Sequence, residues 1–450
     1  MSAAAFLAVV AVALTSSTTP AEPAVGGAPF RPNILFVIAD DMGVDRVGAY
    51  REHPDHGNTP NIDRLAARGV LFRNAWAYDT CTPSRAALLT GRHGHRTGLG
   101  TFIGSSVPQF ELADDEVSLA DVLGQVGYRT AVVGKWHLAR GGPGQATHPL
   151  RLGFEHHRGP MSNLPNIKGP LAYQEFVKVV DGVPFVQTEY ATTDQVDDAL
   201  ELIEQFGGEP WFVWLAFNAP HRPLHEPPPH LHTVDLDAPG PRGPKLMKAM
   251  AEAMDTELGR LLASMDPVVR ANTYIVFLGD NGTNGPSVTP PFDPAKAKSS
   301  AYEGGINVPL IVSGPHVAAG RESGALVHVL DLFATVCQLT GADDSAGLDS
   351  KTLLPWIVDP DAPSPPVVFT ERFRPNGFGP YDVREIAVRD ERYKLVRRFV
   401  NGVASFERLH DLVADPFEDH DLLHPGPGAP PPSADDVAAL AELRAEIDGF

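Results

Sequence analysis

Apolar residues along the chain fall into short unbroken runs separated by amphipathic stretches, and the alternation repeats. NILFVIA (33–39) has the pattern of a strand buried on both faces of a parallel sheet. Thr59 and Pro60 predict an N-cap and a first helical residue. Ile62, Leu65 and Ala66 then share one face, and Gly69 is expected to stop that helix. Ser118 opens another helix, with Leu119, Val122, Leu123 and Val126 in register and Gly127 closing it, and the strand YRTAVVG comes next. A third helix carries Val196, Ala199, Leu200, Ile203 and Phe206 and leads into WFVWLAF. A fourth, from about Lys245 to Met265, leads into TYIVFLG, and VPLIV (308–312) is a further short buried strand. This alternation implies an α/β fold: a large, mostly parallel central sheet flanked by helices.

The pattern changes near residue 360. DPDAPSPPV is rich in proline and reads as a linker. Beyond it VFTERF, REIAVRD, RYKLVRRFV and ASFERLHDL alternate like short strands, and a last helix starts at about Ala434. The expectation is a small C-terminal antiparallel sheet with one helix. The chain thus divides into a leader at 1–30, a main α/β domain at 31–360 and a small α+β subdomain at 361–450. In the leader, the apolar run Ala3–Leu14 is too short to span a bilayer and suits a secretory signal, although no positively charged segment precedes it. A secreted or periplasmic protein without a transmembrane segment is expected.

Acidic residues outnumber basic ones 56 to 36, a formal net charge of −20, which argues against a nucleic-acid partner. An anionic ligand would therefore need a local basic cluster inside an acidic molecule. Gly and Pro, 42 and 43 of 450 residues, are enriched but not to a low-complexity level, so many ordered loops are expected. Two cysteines, Cys81 and Cys337, exclude a disulfide framework. Cys337, within VLDLFATVCQL, reads as an inert core residue.

The chemistry lies at the end of each buried strand. NILFVIA ends in Asp40-Asp41, AVVG in Lys135-Trp136-His137, WFVWLAF in Asn218-Ala219-Pro220-His221, and YIVFLG in Asp280-Asn281. Open α/β sheets bind ligands beyond the carboxyl ends of their strands. Singly, Asp40-Asp41 reads equally well as a helix cap and either histidine as a structural one; four such endings on one rim point to a site. Asp40, Asp41, Asp280 and the Asn281 amide are hard oxygen donors, which suits Ca²⁺, with Mg²⁺ as the alternative, and disfavours zinc. In CTPSRAALLTGR, Thr82 is expected to cap a helix, Pro83 to begin it and Gly91 to end it, with Cys81 just before the N-terminus, where an anion is favoured. A low-pKa thiolate is one reading of such a cysteine. A thiolate phosphatase loop would need arginine six positions after it, where Ala87 stands.

PNILFVIADDMG, CTPSRAALLTGR, GYRTAVVGKWHL, PHRP, GDNG and KSSAYEGGINVP together resemble the type I, formylglycine-dependent sulfatases of the alkaline phosphatase superfamily. The resemblance extends over nearly all the chain beyond residue 30, through RYKLVRR and LHDLVADPFED. It implies a sulfuric ester hydrolase in which a formylglycine-generating enzyme oxidises Cys81 and the hydrated aldehyde supplies the nucleophilic oxygen. Arg85 would stabilise that group. Asp40, Asp41, Asp280, Asn281 and the modified Cys81 would hold the metal, and Lys135, His137, His221 and Lys298 would surround the sulfate. Ser162 aligns only loosely with a further family position. By the same resemblance Asp280 accepts a proton as the hydrate attacks, His221 with Lys298 protonates the leaving alcohol, and His137 takes the proton from the remaining hydroxyl. The substrate would be an aryl or carbohydrate sulfate monoester. A phosphonate monoester hydrolase or phosphodiesterase, or a non-catalytic binder of sulfated glycans, are the competing readings.

Overall fold

The run NILFVIA forms β1 (Asn33–Ala39), and every residue of it is buried. In the computed structural model the described residues are 31–450 apart from 105–109, 141, 143, 428 and 429, so the leader expected at 1–30 lies outside them. The further strands of the main sheet are β2 (Gly69–Trp76), β3 (Arg129–Gly134), β4 (His156–Gly159), β5 (Phe176–Val180), β6 (Val183–Gln187), β7 (Trp211–Ala216), β8 (Thr273–Gly279), β9 (Leu310–Ser313) and β10 (Arg321–His328). Their order is β10-β2-β9-β8-β1-β7-β3-β4-β5-β6. The central run β8-β1-β7-β3-β4 is parallel, while β9 is antiparallel to both of its neighbours and β4-β5-β6 are antiparallel.

Both faces of β1 are covered, which is why its sequence does not alternate. Ile34, Phe36 and Ile38 join a core with Leu88 and Leu89 of helix Cys81–Thr90, Leu119 and Leu123 of helix Leu119–Gln125, and Phe333 of helix Leu332–Thr340. Leu35 and Val37 join the opposite core, with Ile62, Leu202 and Met254 from helices Pro60–Ala67, Ala191–Phe206 and Arg242–Ser264. Each such side chain removed from water contributes about 1.5–3 kcal/mol before the entropy of ordering it. Cys337 is fully buried in the first core and unbonded, as expected of a core thiol.

The second sheet has the order β11 (Val368–Arg374), β12 (Val383–Arg389), β13 (Tyr393–Val400) and β14 (Val403–Asp411), all antiparallel, and helix Ala434–Gly449 packs on it through Ala439, Leu443 and Ile447. Two local expectations are corrected. Gly69 does not end a helix but begins β2; Arg68 caps helix Pro60–Ala67, and the Thr59 hydroxyl accepts from Gly48 and donates to Asp63 rather than capping it. Helix Cys81–Thr90 starts two residues earlier than its caps suggested. Thr80 is the N-cap, Cys81 is the first helical residue, and the Thr82 hydroxyl instead donates to the His137 carbonyl at 3.0 Å. Gly91 ends that helix with φ +64, where a Cβ would meet Phe333 at 2.9 Å. Among the described residues no helix is long and apolar enough to cross a membrane.

Candidate active site

Because β8, β1, β7 and β3 are neighbours and parallel, their carboxyl ends lie side by side, and the residues just beyond them converge. Backbone bonds carry the register past the strands: Asp40 N–H donates to Ala219 O at 3.1 Å, Asp280 N–H to Ala39 O at 3.1 Å, and Lys135 N–H to Ala216 O at 2.8 Å. Asp41 and His137 both take left-handed conformations, φ +66 and +63. Non-glycine residues adopt these only where the surroundings over-determine them, as at functional sites.

The charges interlock. Lys135 Nζ donates to Asp40 Oδ2 at 2.5 Å, and Lys298 Nζ pairs with Asp41 Oδ1. Arg85 donates to Asp280 Oδ2 through Nε at 3.0 Å and Nη2 at 2.8 Å, while its Nη1 donates to the Lys135 carbonyl. Three carboxylates therefore face three cations. Burial would raise the Asp40 and Asp41 carboxyls, but Lys135 and His221 hold the first below its ordinary value, and Lys298 with His221 the second. Asp280 goes the other way: burial and the neighbouring Asp40 charge, opposed by Arg85, push it to about 6. Burial alone would lower Lys298, yet the Asp41 charge holds it well above the ordinary lysine range.

At the centre stands Cys81, 2% exposed. Ligand atoms of Asp40, Cys81 and Asp280 all lie within 4.8 Å of one another, as do those of Asp40, Asp41 and His221. Asp40 Oδ1 and Asn281 Oδ1 are buried without a hydrogen-bond partner. Buried lone pairs left open in this way are costly unless a cation or donor meets them. The amide of Asn281 is fixed by Nδ2 donating to Asp41 Oδ1 and Gly282 O, each at 2.9 Å, so the open acceptor is its oxygen. An oxygen-dominated donor set with two open lone pairs fits a hard divalent cation.

His137 Nε2 lies 3.1 Å from the Ile103 carbonyl, which can only accept, so Nε2 carries the proton. Burial, with Lys135 and Arg85 nearby, pushes the ring well below the ordinary histidine range, leaving it neutral with Nδ1 as a bare acceptor 3.2 Å from Cys81 Sγ. The thiol itself is pushed up, by burial first and then by Asp40 and Asp280 against the pull of Lys135 and Lys298. The helix N-terminus therefore does not make Cys81 a thiolate. His221 and Lys298 stand at the mouth, 11% and 16% exposed in their side chains, with His221 Nε2 3.7 Å from Asp41 Oδ2.

All ten residues singled out from the strand endings, the Cys81 segment and the KSSAYEGG motif thus fall in one cluster. Among the described residues no hydrogen bond joins the Ser162 side chain to it, although the adjacent Met161 carbonyl accepts from the His137 N–H at 3.0 Å. Sequence reasoning missed the supports. The Tyr173 hydroxyl donates to the carbonyls of Asn218 at 2.6 Å and His221 at 2.8 Å, holding the loop after β7. Thr82 braces Ile103 by accepting from its N–H at 3.1 Å, and Gln195 donates to the Asn218 side chain. No local motif marks these residues.

The sulfatase family model matches residues 32–342. Human N-acetylgalactosamine-6-sulfatase is 33% identical over 368 residues, 74% of this chain and 67% of that protein. Mouse arylsulfatase G is 33% identical over 362 residues, 69% of this chain and 66% of that protein. Among solved structures, Ps i-CgsB superposes with a TM-score of 0.75 at 26% identity, covering 93% of this chain and 92% of that one. The chain belongs to the sulfatase family.

Proposed function

We propose that this protein hydrolyses sulfate monoesters, with carbohydrate sulfates as the substrate class, through a formylglycine formed from Cys81 beside a divalent cation, Ca²⁺ before Mg²⁺. The observation that carries the reading is the meeting of the Cys81 side chain with Asp40 and Asp280 around open buried oxygens. Asp40, Asp41, Asp280 and Asn281 would hold the cation, with the group at position 81 as a further ligand. Calcium tolerates ligands drawn from separate loops, as these are.

Position 81, once oxidised and hydrated, supplies a nucleophilic oxygen and a second hydroxyl, while the cation supplies positive charge for the oxygens of the ester. The protein's own groups do the rest. Arg85 grips Asp280 through two donors, fixing a carboxylate that can take up a proton from position 81. Burial and the neighbouring Asp40 charge raise the Asp280 carboxyl above its ordinary value before any cation binds, which favours that proton uptake. His137, neutral and oriented by Ile103, presents Nδ1 to position 81 and can accept the proton whose removal releases sulfate. Lys298 Nζ, held charged by Asp41 at the mouth, can protonate the departing alcohol. His221, whose Nδ1 donates to the Arg222 carbonyl at 2.7 Å, can share that role through Nε2 only as the imidazolium, which burial disfavours and Asp41 favours. Three cations balance three carboxylates before a metal binds, so a divalent ion leaves the site with two positive charges, matched to a sulfate ester whose leaving oxygen gains negative charge.

Ps i-CgsB has been solved with k-i-k-neocarrahexaose, and the human relative is named for a sulfated amino sugar, which supports the carbohydrate class. The test is a panel of 4-nitrophenyl sulfate, sulfated sugars and an aryl phosphonate monoester, given to protein produced together with a formylglycine-generating enzyme. Sulfate release with kcat/KM well above that for the phosphonate is expected; a phosphonate preference would move the protein to the phosphonate or phosphodiester hydrolases.

A further inference from the structure

Beside the catalytic rim, on the small sheet, lies a second concentration of positive charge that none of the proposed chemistry uses. Register places Arg372 of β11, Glu385 of β12 and Arg398 of β13 directly opposite one another, so their side chains leave the sheet on one face. Arg374, two residues along β11, shares that face. These four line a 110 Å³ cavity closed on its other side by Gly100 and Thr101. Three guanidiniums face the Glu385 carboxylate, and with Arg372 also paired to Asp79 about one positive charge is left over, in a molecule whose formal charge is −20.

Most arginines of the described chain are paired; two of these are not. Arg374 and Arg398 make no side-chain hydrogen bond or ion pair with any described residue, and Arg398 Nε is buried without a partner. The Glu385 carboxylate, though opposite Arg398, also forms no ion pair with it. An unmatched guanidinium with a buried, unsatisfied N–H is costly unless a ligand answers it. The walls are rigid. Asn376 Oδ1 accepts from the N–H groups of Gly100 at 3.0 Å and Thr101 at 2.9 Å, and Phe373 N–H donates to Gly100 O at 3.2 Å. A Cβ at Gly100 would meet the Phe373 ring at 2.3 Å, so the approach depends on glycine there.

The cavity also adjoins the site. Arg372 donates to the Ser299 carbonyl and pairs with Asp79 at 3.0 Å, and these residues neighbour Lys298 and Cys81 in the chain. Thr101 lies two residues before Ile103, whose carbonyl orients His137. Exposed Phe102 and Phe378, 52% and 68% accessible, offer apolar ring faces on the same two segments. A bare inorganic anion needs no such faces, whereas a sugar ring uses them.

We infer that Arg374 and Arg398 form a second anion subsite, which binds a sulfate or carboxylate on the sugar next to the one being desulfated. The substrate is then a polyanionic saccharide rather than an isolated sulfated sugar or aryl sulfate. Guanidinium forks suit planar or tetrahedral oxyanions, and charge-assisted bonds of this kind are about twice as strong as neutral ones. The inference rests on the proposed sulfatase reading, and the experiment separates the two. Two disaccharides of the same sugar sequence are compared, one monosulfated and one with a second sulfate on the neighbouring ring. Wild-type protein should prefer the doubly sulfated one. Arg374→Gln with Arg398→Gln should cut that preference about tenfold, mainly through KM, and Arg374→Lys with Arg398→Lys should restore part of it. The preference should also weaken with added salt in the wild-type protein and not in the glutamine variant. An unchanged preference, or an equal loss on both substrates, overturns the subsite. Turnover of neither disaccharide nor of 4-nitrophenyl sulfate by wild-type protein overturns the sulfatase reading itself.

Discussion

At position 81 two influences oppose each other, and their balance decides the chemistry. The first turn of a helix and two lysines favour a thiolate, but burial and two adjacent carboxylates keep the thiol protonated. As cysteine the residue is therefore a poor nucleophile where it stands, and the surroundings suit a neutral, hydrogen-bonding oxygen group better. Mass spectrometry of the Cys81 peptide from co-produced protein should show the aldehyde or its hydrate. A wholly unmodified thiol in active protein would refute that. Asn281 contributes an open buried oxygen and two amide bonds that aim it. Asn281→Ala should weaken calcium binding at least tenfold by calorimetry while the protein stays folded, and an unchanged affinity would remove Asn281 from the metal site.

At the scale of elements, legibility followed burial. β1, β3, β7 and β8 were plain because strands covered on both faces need unbroken apolar runs, and their endings then located the site without a structure. β2 escaped because Arg73 and Asn74 interrupt GVLFRNAW, both half-exposed in the sheet, and because Gly69 resembles a helix stop. β10 opens with the polar RES, and the β5–β6 hairpin is largely exposed along β6, so neither carried a core pattern. The two-residue error at Cys81 arose because Thr80 and Thr82 are equally good capping residues by type. Only the tertiary bond from Thr82 to His137 distinguishes them. By contrast the Ser118 cap was readable, since Asp121 three residues on completes a reciprocal pair within one turn. Ser118→Ala should cost about 1 kcal/mol in denaturant unfolding, and a change indistinguishable from zero would show that the cap is redundant with packing.

For the whole molecule, the small sheet is tied to the main one by a buried charge cluster that no motif announces. Lys394 of β13, fully buried, pairs with Glu303 at 3.1 Å and Glu418 at 2.9 Å, and Arg389 adds a bond to Glu303 at 3.1 Å. Burial would raise the Glu303 carboxyl, but Lys394 and Arg389 hold it below its ordinary value. Lys394→Met would leave two carboxylates facing each other in the interior. It should destabilise the protein by about 3–5 kcal/mol in urea unfolding, and a loss under 1 kcal/mol would mean that the cluster relaxes or takes up protons at little cost. Stability should also depend on pH through buried histidines such as His157, which burial pushes to about 4. Its depressed pKa means the unfolded chain binds a proton below about 6.5 while the folded chain does not. Stability therefore falls as pH drops from 6.5 toward 4, by at most about 1.4 kcal/mol per unit for this residue. Unfolding free energies at pH 6.5 and 5 should show a shallower loss for His157→Gln than for the wild type, and parallel losses would remove the residue from that account.

The central claim, that an oxygen installed at position 81 attacks sulfur, is tested most directly by sulfate release from a sulfated sugar, measured side by side for wild-type protein and Cys81→Ala. The wild type should turn over while the variant, equally folded by circular dichroism, releases nothing above the uncatalysed rate. Comparable release by the two proteins would contradict the account.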